Sequence, residues 1–153
     1  LIKSFDKNHL VTIGTEGVIS TFYSEEIYSS IHVDKNIDYA TLHLWPKTWQ
    51  WYNGESDASV SDTTLEKTKQ YIEQHALLAK QFNKPLVIEE FGLHRDGNSF
   101  SPDASVDNRN EYFNSEYPFQ KTTIDFKFLM GHCPSIHSAR VFSKDHCCHS
   151  KPR

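Results

Sequence analysis

The chain has 153 residues, 37% hydrophobic and 24% charged, with a net charge of −4. That is enough material for the core of one ordinary domain. The mild acidity, without a concentrated basic face, argues against nucleic acid as a partner, and the absence of any apolar run of about 18 residues or of a charged n-region with an apolar h-region excludes a visible membrane span or signal peptide. Residues 121–153 carry six Lys/Arg against two Asp/Glu, a balance of +4, so residues 1–120, with 10 basic and 18 acidic side chains, carry −8. Cys133, Cys147 and Cys148 all fall in that basic tail. The shift predicts a main unit over residues 1–120 and a divergent tail over 121–153. The first residue is Leu1, not Met, so the chain is expected to come from a processed or longer protein.

In chain order, "HLVTIG" (9–14) is a β-branched run stopped by glycine and predicts a strand, followed by a short helix over "SEEIYSSIH" (24–32). "IDYATLHL" (37–44) predicts a second strand, ending before Pro46. "TTLEKTKQYIEQHALLAKQF" (63–82) has helical spacing at Leu65, Ile72, Ala76 and Ala79, thickened by Tyr71, Leu78 and Phe82. Thr63 and Glu66 have capping-box spacing, and Asn83 with Pro85 supplies the stop. "PLVIEEF" (85–91) predicts a third strand, and a further helix begins near Asp107 and runs through "NRNEYF". Strands alternating with helices imply a parallel arrangement, in a barrel or an open sheet. Neither G-x-G-x-x-G nor G-x-x-x-x-G-K-[ST] is present, which leaves the barrel favoured.

In α/β barrels the chemistry collects at the C-terminal strand ends. Here those ends hold Glu16 in "GTEG", His43 and Trp45 in "HLWP", and Glu89 with Glu90 in "EEFG". The loop "WPKTWQWY" adds Trp49, Trp51 and Tyr52, so one short span contains all three tryptophans. Indoles stack on the C–H faces of sugars while carboxylates and imidazoles meet the hydroxyls. The competing reading is that these rings cap the barrel mouth as core.

The stretches "HLVTIGTEG", "IDYATLHLWPKTWQWY" and "KPLVIEEFGLHRDGNSFSP" together resemble the second half of a glycoside hydrolase family 5 enzyme of the endo-β-1,4-mannanase type, over about residues 1–115. The resemblance implies an α/β fold, part of a (β/α)8 barrel comprising strands five to seven followed by an atypical tail. It implies retaining hydrolysis of β-1,4-mannosidic bonds in a polysaccharide, with no cofactor and no metal, by a parent protein that is extracellular. By the same resemblance Glu90 is the nucleophile and His43 helps to position the reacting groups. Trp45 stands where many members place a Tyr that hydrogen-bonds the nucleophile. Glu16, Trp49, Trp51 and Arg95 are implied contacts to sugar. Strand alternation sends Glu89 to the opposite face, as a structural acid paired with a neighbouring helix or loop.

Retaining hydrolysis needs two carboxyl groups about 5 to 5.5 Å apart. The family's second one lies in an Asn-Glu-Pro-like motif that this sequence lacks. A complete barrel takes about 250 residues, so the chain is expected to be a fragment, inactive alone and prone to self-association through exposed sheet edges. Two alternatives stay open: a non-catalytic chain that at most binds polysaccharide, and a β-glucanase-type member of the family. In the tail, "IDFKFLM" alternates as a strand would. Cys133, His137, His146, Cys147, Cys148 and His149 raise a zinc reading, but "HCCH" is poorly spaced for ligands and three cysteines fit no tidy disulfide framework. A tail from a shifted or misjoined reading frame is the expectation.

Overall fold

The structure is a computed structural model that describes the backbone over residues 1–54, 60–122, 130–132 and 139–141, and side chains as far as residue 115. A short helix α1 (Ile2–Phe5) and a 3₁₀ turn at Val18–Thr21 precede α2 (Glu25–His32), β1 (Ala40–Leu44), α3 (Asp62–Gln81) and β2 (Leu86–Phe91). After β2 come a 3₁₀ turn at Asp96–Asn98, α4 (Asp107–Thr122), and β3 (Met130–His132) with β4 (Ala139–Val141). β1 and β2 pair in parallel across the α3 crossover, and β3 pairs antiparallel with β4. The α/β alternation is therefore present. Of the tail, residues 124–129 of the expected strand, and all six Cys and His residues of the zinc reading, lie outside the described residues. Among the described residues no helix is long and apolar enough to cross a membrane, and no group of three or more His, Cys, Asp or Glu is disposed to hold a metal ion.

The first predicted strand does not form. Residues 11–16 do run alongside 38–43, with Asp38 N–H donating to Val11 O (2.8 Å) and His43 N–H to Glu16 O (3.1 Å). Between those two bonds, side chains take the places of the ladder. Thr12 Oγ1 donates to Tyr39 O (2.8 Å), Thr41 Oγ1 donates to Thr15 O (3.0 Å), and Val11 N–H donates to the Asp38 carboxylate (2.6 Å). Gly14, at φ +62°, breaks the extended geometry in the middle of the run.

β1 is buried along its whole length, as a strand covered on both faces must be. α3 lays Tyr71, Ile72, His75, Ala76, Leu78 and Ala79 against it and against β2. The N-cap lies two residues earlier than expected. Ser61 is the N-cap, its hydroxyl accepting from Thr64 N–H (3.2 Å), while Thr64 Oγ1 donates to Trp51 O (2.7 Å). Thr63 and Glu66 face solvent instead. The stop is as expected: Asn83 adopts φ +54°, Lys84 N–H returns to Ala79 O and Asn83 N–H to Lys80 O, the paired bonds of a Schellman ending. Lys84 then sends its ammonium back to the carbonyls of His32 and Asp34, closing the C-terminal end of α2.

Two Tyr-x-x-x-His pairs tie α2 to β1 and α3 to the segment around Glu16. Tyr28 on α2 donates to Thr41 O (2.9 Å), and Tyr71 on α3 donates to Glu16 O (2.8 Å). In each pair the His Nδ1 bonds the Tyr carbonyl four residues earlier, at 2.7 Å. The rings touch in series, tilted or edge to face, with His32–Tyr28 centroids at 4.2 Å, Tyr28–His75 at 4.9 Å and His75–Tyr71 at 4.2 Å.

His75 Nε2 accepts from Val18 N–H (2.9 Å). With Nδ1 donating to Tyr71 O, the ring must be neutral. Burial, as the largest influence, lowers its pKa to about 4 from 6.5, and burial lowers that of His32 as well. A His whose folded pKa is depressed contributes stability above its unfolded pKa and loses it as the pH falls. We expect urea melts to show full stability above about pH 6.5 and a loss of about 3 kcal/mol from His75 by about pH 4. His75→Gln should flatten that slope.

Candidate functional site

The site is built where β1 and β2 end. The register pairs Ala40 with Leu86, Thr41 with Val87 and Leu42 with Ile88, then skips to His43 with Glu90 and Leu44 with Phe91. The irregularity between Leu42 and His43 leaves Glu89 as the unpaired residue of a bulge, the device by which strands re-aim side chains. His43 is one-tenth exposed at its side chain, and both acids reach it. Glu90 Oε2 lies 3.4 Å from Nδ1 and Glu89 Oε2 lies 3.9 Å from Nε2. The expectation that alternation carries Glu89 away to a helix or loop is thus corrected. Alternation holds only in an unbulged strand, and this one is bulged at that point.

Trp45 Nε1–H donates to Glu90 Oε2 at 3.2 Å. Its ring lies across Gly92, where a Cβ would come within 2.4 Å of a ring carbon. The glycine of "EEFG" is therefore a matter of space, since any side chain there would lift the indole off the carboxylate. Gly92 N–H in turn donates to Leu44 O (3.0 Å), tying the two strand ends together. The Glu90 side chain is about half exposed (49%), so its carboxylate is open to solvent while bonded by the indole N–H and faced by the imidazole.

The remaining sequence candidates sit differently. Trp49 and Trp51 are half-buried and pack on each other (4.8 Å) and on Tyr71 (5.2 and 5.5 Å), against the main core. Each is thus packed on the core with part of its surface in solvent. Glu16 enters through its carbonyl, which takes both His43 N–H and the Tyr71 hydroxyl. Arg95 Nη1 donates to Ala104 O (2.8 Å). The adjacent Asp96 carboxylate accepts from Ser105 Oγ, Asp107 N–H and Asn108 N–H, so the two residues pin the 96–107 loop and cap α4. Tyr71 was not singled out by sequence for the site. The repeated Tyr-x-x-x-His spacing at 28/32 and 71/75 was the available signal.

At this site a half-exposed strand-end carboxylate accepts from an indole N–H and faces an imidazole nitrogen. The family model described as "GH family 5 beta-mannosidase-like" matches residues 1–132. The chain belongs to glycoside hydrolase family 5. Among its relatives, mannan endo-1,4-β-mannosidase A of Aspergillus aculeatus is 34% identical over 106 residues, covering 60% of the chain and 24% of that protein. Mannan endo-1,4-β-mannosidase 4 of Solanum lycopersicum is 31% identical over 130 residues, covering 76% of the chain and 29% of that protein. The crystal structure of a family 5 mannosidase from Rhizomucor miehei superposes with a TM-score of 0.68 at 30% identity, over 76% of the chain and 29% of that structure. A further structure of the same mannosidase carries mannosyl-fructose. The chain thus spans roughly a quarter of the length of the relatives it matches.

Proposed function

We propose that this chain supplies the nucleophile-bearing part of a family 5 endo-β-1,4-mannanase, corresponding to strands five to seven of a (β/α)8 barrel. Glu90 is the nucleophile, His43 and Trp45 orient it, and Trp49 and Trp51 border the path of the glycan. The single observation that carries this reading is the Glu90 carboxylate, half open to solvent yet fixed by Trp45 Nε1 and faced by His43 Nδ1. The names of the relatives favour mannan over a β-glucan. The partial barrel is supported by the parallel β1–α3–β2 unit and by the exposed apolar residues Leu1, Ile2, Phe5, Leu10 and Ile13, a flank that further barrel elements would cover.

In the reaction a Glu90 oxygen attacks the anomeric carbon, the glycosidic bond breaks, and a covalent glycosyl-enzyme forms that water later hydrolyses. The natural leaving group needs protonation by a second carboxyl group. A dinitrophenolate does not, so an activated 2-deoxy-2-fluoro-β-mannoside isolates the role of Glu90. Incubated with 2,4-dinitrophenyl 2-deoxy-2-fluoro-β-mannoside, the chain should gain one fluoromannosyl mass, located by peptide mass spectrometry on Glu90. Glu90→Gln should gain none. Labelling elsewhere, or no labelling alongside tight mannan binding, would replace this reading with the non-catalytic one.

A further inference from the structure

We propose that Glu89 is a positioning residue of the same site, holding the Nε2 edge of His43 so that Nδ1 stays turned toward Glu90. This deepens the reading of Glu90 given above and rests on it for its functional meaning. The sequence shows two adjacent acids, which in a regular strand would face opposite ways. The bulge between Leu42 and His43 removes Glu89 from the ladder and turns both acids toward one imidazole.

The distances define the arrangement. Glu90 Oε2 faces Nδ1 at 3.4 Å, and Glu89 Oε2 faces Nε2 at 3.9 Å, on the other side of the ring. Turning the ring over would set carbons in place of nitrogens against both carboxylates, so the pair selects one ring orientation. The Glu89 side chain is only 24% exposed, and among the described residues its ion-pair partner within 4.0 Å is His43. Its Oε2 also lies along the backbone of Gly14, 3.4 Å from where a Cβ would stand, so the left-handed glycine leaves it room. Among the described residues, the groups facing His43 are therefore Glu89 and Glu90 from β2, with Trp45 Nε1–H donating to the same Glu90 oxygen and the Glu16 carbonyl on the main-chain N–H. A surface acid with a helix or loop partner would show none of this.

The test reads the imidazole itself and needs no substrate. On the ¹⁵N-labelled chain, long-range ¹H–¹⁵N correlation resolves the ring nitrogens, with His43 assigned by its loss in His43→Gln. Glu89→Gln should shift the Nε2 resonance of His43 and alter its tautomer ratio, whereas Glu26→Gln, at an exposed site on α2, should leave both unchanged. If Glu89→Gln lowers stability too far, Glu89→Asp withdraws the carboxylate by one methylene and should move the same resonance. Unchanged His43 ring resonances in a folded Glu89 variant would overturn the proposal. Failure of the nucleophile reading looks different, as mannosyl labelling that survives Glu90→Gln while the His43 spectrum still depends on Glu89.

Discussion

Glu90→Gln should abolish the release of dinitrophenolate from 2,4-dinitrophenyl β-mannoside, lowering the rate by on the order of 10⁴-fold or more. The substitution is isosteric, and its amide oxygen still accepts the Trp45 Nε1–H bond now made at 3.2 Å, so the loss reports chemistry and not folding. In the unsubstituted chain the expected course is a burst of about one dinitrophenolate per site followed by slow turnover. The first step needs only the nucleophile, whereas the second needs a base to activate water. Glu90→Ala with added azide gives a sharper result. Azide then attacks the face that Glu90 vacated and yields the α-mannosyl azide, with inversion. A β-mannosyl azide would mean that Glu90 serves as acid/base and that the nucleophile lies elsewhere. Unaltered burst amplitude in Glu90→Gln would dismiss the assignment altogether.

How much of this was visible in the sequence depended on whether local or non-local physics decided the point. β2 and the end of α3 were legible because an apolar run and an Asn-x-Pro stop act within a few residues. The α3 start was misplaced because two candidate caps, Ser61 and Thr63, stand two residues apart, and the choice fell to Thr64 bonding Trp51 O across a loop. "HLVTIG" has strand composition, yet Thr12, Thr41 and Asp38 intercept the backbone groups that would have formed its ladder. Composition cannot reveal that competition. In the site, Glu90 and His43 were found as strand-end residues, while Glu89 was assigned to the wrong side because a bulge has no one-dimensional signature. Trp49 and Trp51 were recognised as a cluster, but their seat on Tyr71 came from a helix twenty residues away in sequence.

The largest expected loss of stability comes from Gly17→Ala, about 3 to 5 kcal/mol in urea unfolding, summed from backbone strain and lost buried bonds. Gly17 sits at φ +100° and ψ −157°, a region that only glycine occupies without strain. Its missing side chain is also a vacancy that others use. A Cβ would stand 2.4 Å from Tyr71 Oη and 2.5 Å from His75 Nε2, the two atoms that bond Glu16 O and Val18 N–H on either side of the glycine. Both bonds would have to lengthen together, leaving buried polar groups without partners. Gly14→Ala is the control that separates the two effects. Gly14 is also left-handed, at φ +62°, but its Cβ would meet only the Glu89 carboxylate at an ordinary 3.4 Å, so about 1 to 2 kcal/mol is expected there. The difference carries a functional corollary, because Glu16 O also receives His43 N–H at 3.1 Å. A methyl group at residue 17 therefore disturbs the imidazole facing Glu90 through the main chain, and the His43 ring resonances should move in Gly17→Ala under conditions where the variant is still folded. Equal destabilisation by the two alanines would mean that strain alone matters and that the Tyr71–His75 clamp contributes nothing to the site.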